Sequence, residues 1–274
     1  MNTKSAEQNL DAIEKRAKCL TDARRRALGF DTYPDPLPVS LDEAYDIQDK
    51  AISLWADELS GWKVGRITGD NEVRFGTDRF AGPVFSRLVQ KRSGQAIIMP
   101  VFENGFTAVE GEITAVIAHD ADPAKVNYTT EEALAMIGAL HMGVEIASSP
   151  FSRINEFGPL VTISDFGNNY GLILGDKISN WQDFKFEEWE FTTHINGKEV
   201  GRAIPTGLPG GPVESVRFLL ENTARRGLPV KAGMMILTGA ITGVHQAHIG
   251  DTAVVGFSGL ASVSCELTTQ NAAG

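Results

Sequence analysis

From Gly61 onward the chain runs in short β-rich stretches broken by glycine and proline, and these do not alternate regularly with helices. Each pair of parallel neighbours in a sheet needs a crossover, usually helical, so a doubly wound parallel sheet is disfavoured. The pattern predicts a mixed β-rich core with helices packed around it. Candidate strands are 61–64, 107–118, 158–164, 170–174, 186–195, 234–237, 252–257 and 261–267. Two helices interrupt them, 130–140 with Thr130 as its cap and 212–226 ended by Gly227.

The first part of the chain has a different texture. Residues 5–29 alternate apolar and charged positions at helical spacing and end in Ala27-Leu28-Gly29, with Gly29 as the expected stop. Tyr33-Pro34-Asp35-Pro36-Leu37-Pro38 reads as an extended linker. Ser40 is placed to cap a second helix, with Glu43 completing a capping box and the helix running to about Glu58. The organisation expected is a helical region over 1–60 and a β-rich catalytic region over 61–274, compatible with one continuous domain.

Asp plus Glu number 35 against 25 Lys plus Arg, a formal charge of −10. That balance argues against binding to nucleic acid or to anionic membranes. It leaves an anionic small molecule open, because a bound cation can reverse the local potential. Every long apolar run is interrupted by glycine or charge, and residues 1–18 lack the apolar core of a signal peptide. Cys19 and Cys265 form no spaced framework and read as free thiols, so a cytoplasmic location is expected.

The sharpest chemical signal is Val109-Glu110-Gly111-Glu112-Ile113. In a strand, Glu110 and Glu112 share a face about 7 Å apart along the backbone, where like charges repel unless a cation joins them. Their apolar flanks suggest a buried strand and an oxygen-ligated Mg²⁺ or Mn²⁺, while a solvated strand face is the alternative. Glu145 is the lone acid in Met142-Gly143-Val144-Glu145-Ile146-Ala147 and needs a partner if buried. It could supply a third metal ligand or pair with an arginine. Lys63 in Gly61-Trp62-Lys63-Val64-Gly65 sits between apolar neighbours, where desolvation would lower its pKa for acid–base work; a surface position is the alternative. Thr238-Gly239-Ala240-Ile241-Thr242-Gly243 is either a tight turn or a carboxylate-binding turn. Gly207-Leu208-Pro209-Gly210-Gly211-Pro212 lacks the Gly-Lys-Ser/Thr ending of a phosphate loop. The five histidines form no zinc signature, although His245 and His248 could line a mouth.

Taken in order, these segments, with Thr162-Ile163-Ser164-Asp165-Phe166, Gly250-Asp251 and Phe257-Ser258-Gly259-Leu260-Ala261-Ser262-Val263, resemble the 2-keto-4-pentenoate hydratase and 4-oxalocrotonate decarboxylase family of the fumarylacetoacetate hydrolase superfamily. The resemblance implies an α+β fold, a mixed β-roll or sandwich core with an N-terminal helical region, and a homo-oligomer. It implies Mg²⁺ or Mn²⁺ on Glu110, Glu112 and Glu145, with Lys63 contacting a small 2-oxo acid. Thr238, Gly239 and Thr242 are the expected substrate-binding residues, and Asp78 and Asp165 further catalytic candidates. The aspartate loop departs from the family: Gly76-Thr77-Asp78-Arg79-Phe80-Ala81-Gly82 is one residue shorter and lacks a second aspartate. The activity implied is a hydratase, with a decarboxylase second and an acylpyruvate hydrolase or inactive binding protein third. A cationic residue at the distal end of the substrate would favour a dicarboxylate, and Arg66, Arg79, Arg87 and Arg153 are candidates.

Overall fold

The structure, a computed structural model, describes residues 3–272, with side chains described from Leu10 onward. Helix α1 (Thr3–Arg26) is followed by α2 (Leu41–Leu54). The first helix stops before the expected glycine. Ala27 takes φ +53° and the Leu28 N–H donates to the Ala23 carbonyl at 3.1 Å, a left-handed ending made without glycine. Gly29 serves a close approach instead: a β-carbon there would lie 2.7 Å from the backbone oxygens of Glu103 and Asn104. Ser40 caps α2 by accepting from the Glu43 N–H at 3.2 Å. Glu43 returns its carboxylate to the Val39 N–H and to Arg16 rather than to Ser40, so the reciprocal box is not formed.

The rest of the chain gives β1 (Leu59–Arg66), α3 (Asp70–Phe75), β2 (Arg79–Phe85), β3 (Val89–Lys91), β4 (Ile97–Val101), β5 (Phe106–Ile117), α4 (Thr130–Ala135) and β6 (Ile137–Ser149). Then follow α5 (Pro159–Ser164), β7 (Asn169–Lys177), β8 (Phe191–Ile195), β9 (Lys198–Ala203), α6 (Gly211–Arg225), β10 (Met235–Ala240), β11 (His245–Gln246), β12 (Thr252–Phe257) and β13 (Val263–Thr269). Segment 158–164 is a helix, not the expected strand; Pro159 opens it, and six residues, all but Ser164 apolar or β-branched, are too few to show a period. The helix expected over 130–140 ends at Ala135, capped by Thr129 in a true capping box with Glu132, and the apolar run beyond becomes β6.

The strands form two mixed sheets. The larger runs β2-β1-β10-β5-β6-β7-β3, with β11 pairing β5; the smaller runs β4-β13-β12-β8-β9. Strand β5 lies at the centre of the larger sheet, antiparallel to both β10 and β6. Its sequence is buried on both faces, which explains the near-continuous apolar run. At Gly111 the smaller sheet presses in: a β-carbon would stand 3.0 Å from Val255 and 3.4 Å from Thr193. The main core includes Trp62, Ile113, Val144, Phe191 and Val255. A second cluster joins Ile13 and Leu20 of α1 and Ile47 of α2 to Phe85, Phe151 and Phe166 of the β-rich part. No described helix is long and apolar enough to cross a membrane.

Candidate metal centre

Strand pairing brings the three acids together. Glu110 stands directly opposite Glu145 in the β5–β6 ladder, and Glu112 lies two residues along β5 on the same face. One carboxylate oxygen from each lies within 4.8 Å of the others. The burial rules out a solvated face: Glu110 is 6% exposed, Glu112 1% and Glu145 0%. Glu112 accepts from the Gly239 N–H at 3.0 Å, and Glu145 accepts from the Asn169 side-chain amide at 2.9 Å. The second oxygen of Glu145 is buried with no hydrogen-bond partner. A buried carboxylate oxygen without a partner is costly unless a cation faces it.

Lys63 reaches the same cluster from β1, its Nζ 3.5 Å from Glu145 Oε1 and 5.1 Å from the centre of the Phe80 ring. Gly65 makes room for that ring, since a β-carbon there would overlap it at 2.2 Å. Burial and then the Glu145 charge raise the Glu110 carboxyl to about 8, and burial followed by Glu145 and Glu110 holds Glu112 well above its usual range. For Lys63, burial pulls the pKa down, but Glu145, Glu110 and Glu112 together outweigh it and the pKa is raised. The expected lowered lysine pKa is thus overturned, because its neighbours are acidic as well as apolar. Three carboxylates beside one ammonium leave two negative charges, the charge of one divalent cation. All-oxygen donors suit a hard ion such as Mg²⁺.

A cavity of about 450 Å³ opens onto Lys63 and Glu110 and is lined further by Arg66, Asn71, Asn155, Thr162 and Asn168. Ala240 at the end of β10 and Gly243 and Val244 of the turn after it form part of its wall. No histidine is among its lining residues. The hydroxyl of Thr238 is spent on the Ile113 carbonyl, that of Thr242 pairs with Thr193, and Gly239 holds Glu112. Asp165 is not a cavity residue; it is 1% exposed and bound by Arg24 at 2.6 Å. Asp78 lies outside the cavity too, gripped by Arg79. Of the four candidate arginines only Arg66 lines the cavity; Arg79 is buried and paired with Asp78, and Arg87 and Arg153 pair with Asp57 and Glu156 elsewhere.

Sequence reading missed Asn168 and Asn169. Phe166, Gly167 and Asn168 take three successive positive φ angles of 55°, 62° and 65°, strained for the two that are not glycine. The segment lies backbone-to-backbone against Gly82 of β2, where a β-carbon would come 2.4 Å from the Phe166 carbonyl oxygen. That turn points Asn168 at the cavity and Asn169 at Glu145. The signal was a Gly-Asn-Asn run, which on its own reads as a turn.

Fold and site together define a protein of mixed helices and sheets that holds a buried three-carboxylate group able to bind a metal. Its curated relatives carry more particular names. The chain is 24% identical over 248 residues to a 4-oxalocrotonate decarboxylase of Pseudomonas sp. (strain CF600), covering 85% of this chain and 86% of the relative. It is 26% identical over 242 residues to a 2-keto-4-pentenoate hydratase of Paraburkholderia xenovorans (strain LB400), covering 86% of each. In structure it is similar to 4-oxalocrotonate decarboxylase from Pseudomonas putida G7 complexed with magnesium and adipate, with a TM-score of 0.78, 20% identity, and coverage of 97% of this chain and 99% of that one. At that identity the structural likeness speaks for the fold. No family model matches the chain. The resemblance carried by the sequence motifs therefore holds over most of the chain.

Proposed function

We propose that this chain is a divalent-metal-dependent lyase that acts on a small 2-oxo acid through an enolate, most simply a hydratase of the 2-keto-4-pentenoate type. The observation that carries the reading is three buried carboxylates converging on one face beside a buried ammonium. Glu110, Glu112 and Glu145 would hold Mg²⁺ or Mn²⁺, and the cation, when bound, supplies the positive charge that lets a 2-oxo acid lose a proton from C3. Lys63, kept protonated by its acidic neighbours, offers N–H donors to the anionic end of the substrate and holds a proton there for return to the chain. Phe80 covers Lys63 and keeps water from it. The Asn169 amide and the Gly239 N–H fix the outer carboxylates in place. Asp165 and Asp78 act through Arg24, Arg66 and Arg79 and do not touch the substrate.

Hydration ketonises a dienol and adds water to the conjugated alkene, giving a 4-hydroxy-2-oxo acid. Decarboxylation of a dicarboxylate uses the same electron sink, and a cationic Arg66 in the cavity favours that second reading. C–C hydrolysis ranks below both, since no histidine lines the cavity to activate water. Mg²⁺ or Mn²⁺ at about one hundred times its Kd should raise Tm by roughly 5–10 °C, and Glu110→Gln should abolish the rise. Turnover of 2-hydroxypentadienoate without CO₂ would identify a hydratase, and CO₂ release from 2-oxohex-3-enedioate a decarboxylase. An unchanged Tm with both metals would overturn the proposal.

A further inference from the structure

We infer that the carboxamide of Asn168 holds the water that adds to the substrate, which makes Asn168 a catalytic residue of the hydration step. The inference rests on the hydratase reading above and gives that cavity its water-holding group. Asn168 lines the same cavity as Lys63 and Glu110 and is 5% exposed. Its Oδ1 is buried and accepts no hydrogen bond among the described residues. Asn71 and Asn155 line the cavity as well, but the first is half-buried and the second exposed, so solvent reaches them. Thr162 is buried there too, but its hydroxyl donates to the Gly158 carbonyl at 3.3 Å.

The backbone that carries Asn168 is held in place. Asn168 closes the run of positive φ angles at 65°, and a β-carbon on Gly167 beside it would stand 2.9 Å from the Gly82 backbone. A buried amide oxygen on so fixed a turn is costly unless a donor comes in with the ligand. The substrate has no donor to offer once its enol proton is gone, because its carboxylate and 2-oxo oxygens only accept. Those oxygens suit the Lys63 ammonium, which only donates. The remaining donor in the reaction is the O–H of water. In the step, the water oxygen bonds to C4 of the conjugated alkene and the C3=C4 electron pair moves toward the 2-oxo oxygen. Water gives up one proton and C3 takes one on, so the 4-hydroxy-2-oxo acid forms with nothing left over. An amide accepts a hydrogen bond but not a proton; Asn168 therefore aims the water, and Lys63 moves the proton. Decarboxylation has no water to aim and would leave the Asn168 oxygen unmet.

The test follows 2-hydroxypentadienoate with the full-length protein and saturating Mg²⁺. Loss of the dienol is read by absorbance, less the uncatalysed rate, and formation of 4-hydroxy-2-oxopentanoate by NMR. The wild type should turn the dienol it consumes into the hydrate. Asn168→Gly accepts the positive φ without strain and lacks the amide, so hydrate formation should fall at least about thirtyfold relative to dienol loss, with unhydrated 2-oxopent-3-enoate in its place. Asn168→Asp keeps an acceptor oxygen and tolerates the same φ, and its hydrate formation should stay within about tenfold of wild type. The Mg²⁺-induced Tm rise checks the folding and metal site of each variant. An unchanged ratio of the two rates in Asn168→Gly, or Asn168→Asp no faster than Asn168→Gly, would overturn the role of Asn168. So would a wild type that consumes the dienol without forming hydrate. If the wild type leaves the dienol untouched while Mg²⁺ raises Tm, the water-holding role fails and the metal centre stands. If Mg²⁺ gives no Tm rise either, the metal-centred reading itself fails.

Discussion

Three carboxyl groups with oxygens within 4.8 Å of one another, at most 6% exposed, repel strongly unless protons or a cation intervene. Protons intervene at Glu112 and at Glu110, whose carboxyl burial and then Glu145 raise from 4.5 to about 8. Without metal, the folded protein keeps a proton there that the unfolded chain has already released. Stability from this group is therefore complete below about pH 4.5 and is lost as pH rises through about 8; Glu112 acts in the same direction. Tm of the EDTA-treated protein should fall by at least about 5 °C from about pH 5 to pH 8, and Glu110→Gln should remove much of that slope. Mg²⁺ must displace those protons, so the Tm rise it gives should grow over the same range. A metal-free profile identical in wild type and Glu110→Gln would sink this account. The pairing of Glu110 with Glu112 was legible in sequence because strand periodicity alone puts them on one face. Glu145 was legible only as an acid in need of a partner. That the partner is the Glu110 side of β5 depends on ladder register, which no local pattern encodes.

Strand β2 and the turn over 166–169 show how neighbouring elements hold the ligands. Gly82 lets the turn pack against the strand, and the turn delivers Asn169 to Glu145. Gly82→Ala should therefore cost about 1–3 kcal/mol and weaken Mg²⁺ binding severalfold, measured by thermal melts and metal titration. Gly207→Ala is the control: a β-carbon there meets nothing within 4 Å, and the change should stay within about 0.5 kcal/mol. Wild-type melting and metal affinity in Gly82→Ala would show that the turn tolerates displacement. β2 escaped sequence reading because Arg79-Phe80-Ala81-Gly82-Pro83-Val84-Phe85 contains a proline and a glycine, both unfavourable inside a sheet. Its place at the sheet edge removes the objection, since an edge strand can spare the missing N–H. The two amphipathic helices and β5 were legible because each is long enough to show its period.

The N-terminal helix is tied to the candidate metal centre through one buried side chain. Arg24 binds the Asp165 carboxylate through Nε at 2.6 Å, the Asp165 carbonyl at 3.1 Å and the Asn169 carbonyl at 3.2 Å, with Phe166 4.9 Å beneath its guanidinium. Both partners of the ion pair are 1% exposed, so removing one leaves an unpaired buried charge. Arg24→Met should cost about 3–5 kcal/mol, a Tm loss of roughly 6–20 °C, because Asp165 keeps only the Ser149 hydroxyl. Arg24→Met with Asp165→Leu removes both charges and should recover much of that stability. It should not recover metal affinity, because the backbone of Asn169 still lacks the donor that sets its side chain on Glu145. This separation distinguishes a helix that merely covers the sheet from one that positions a ligand. Wild-type Mg²⁺ affinity in the double variant would assign α1 to packing alone; reduced affinity at restored stability would make the helix part of the site.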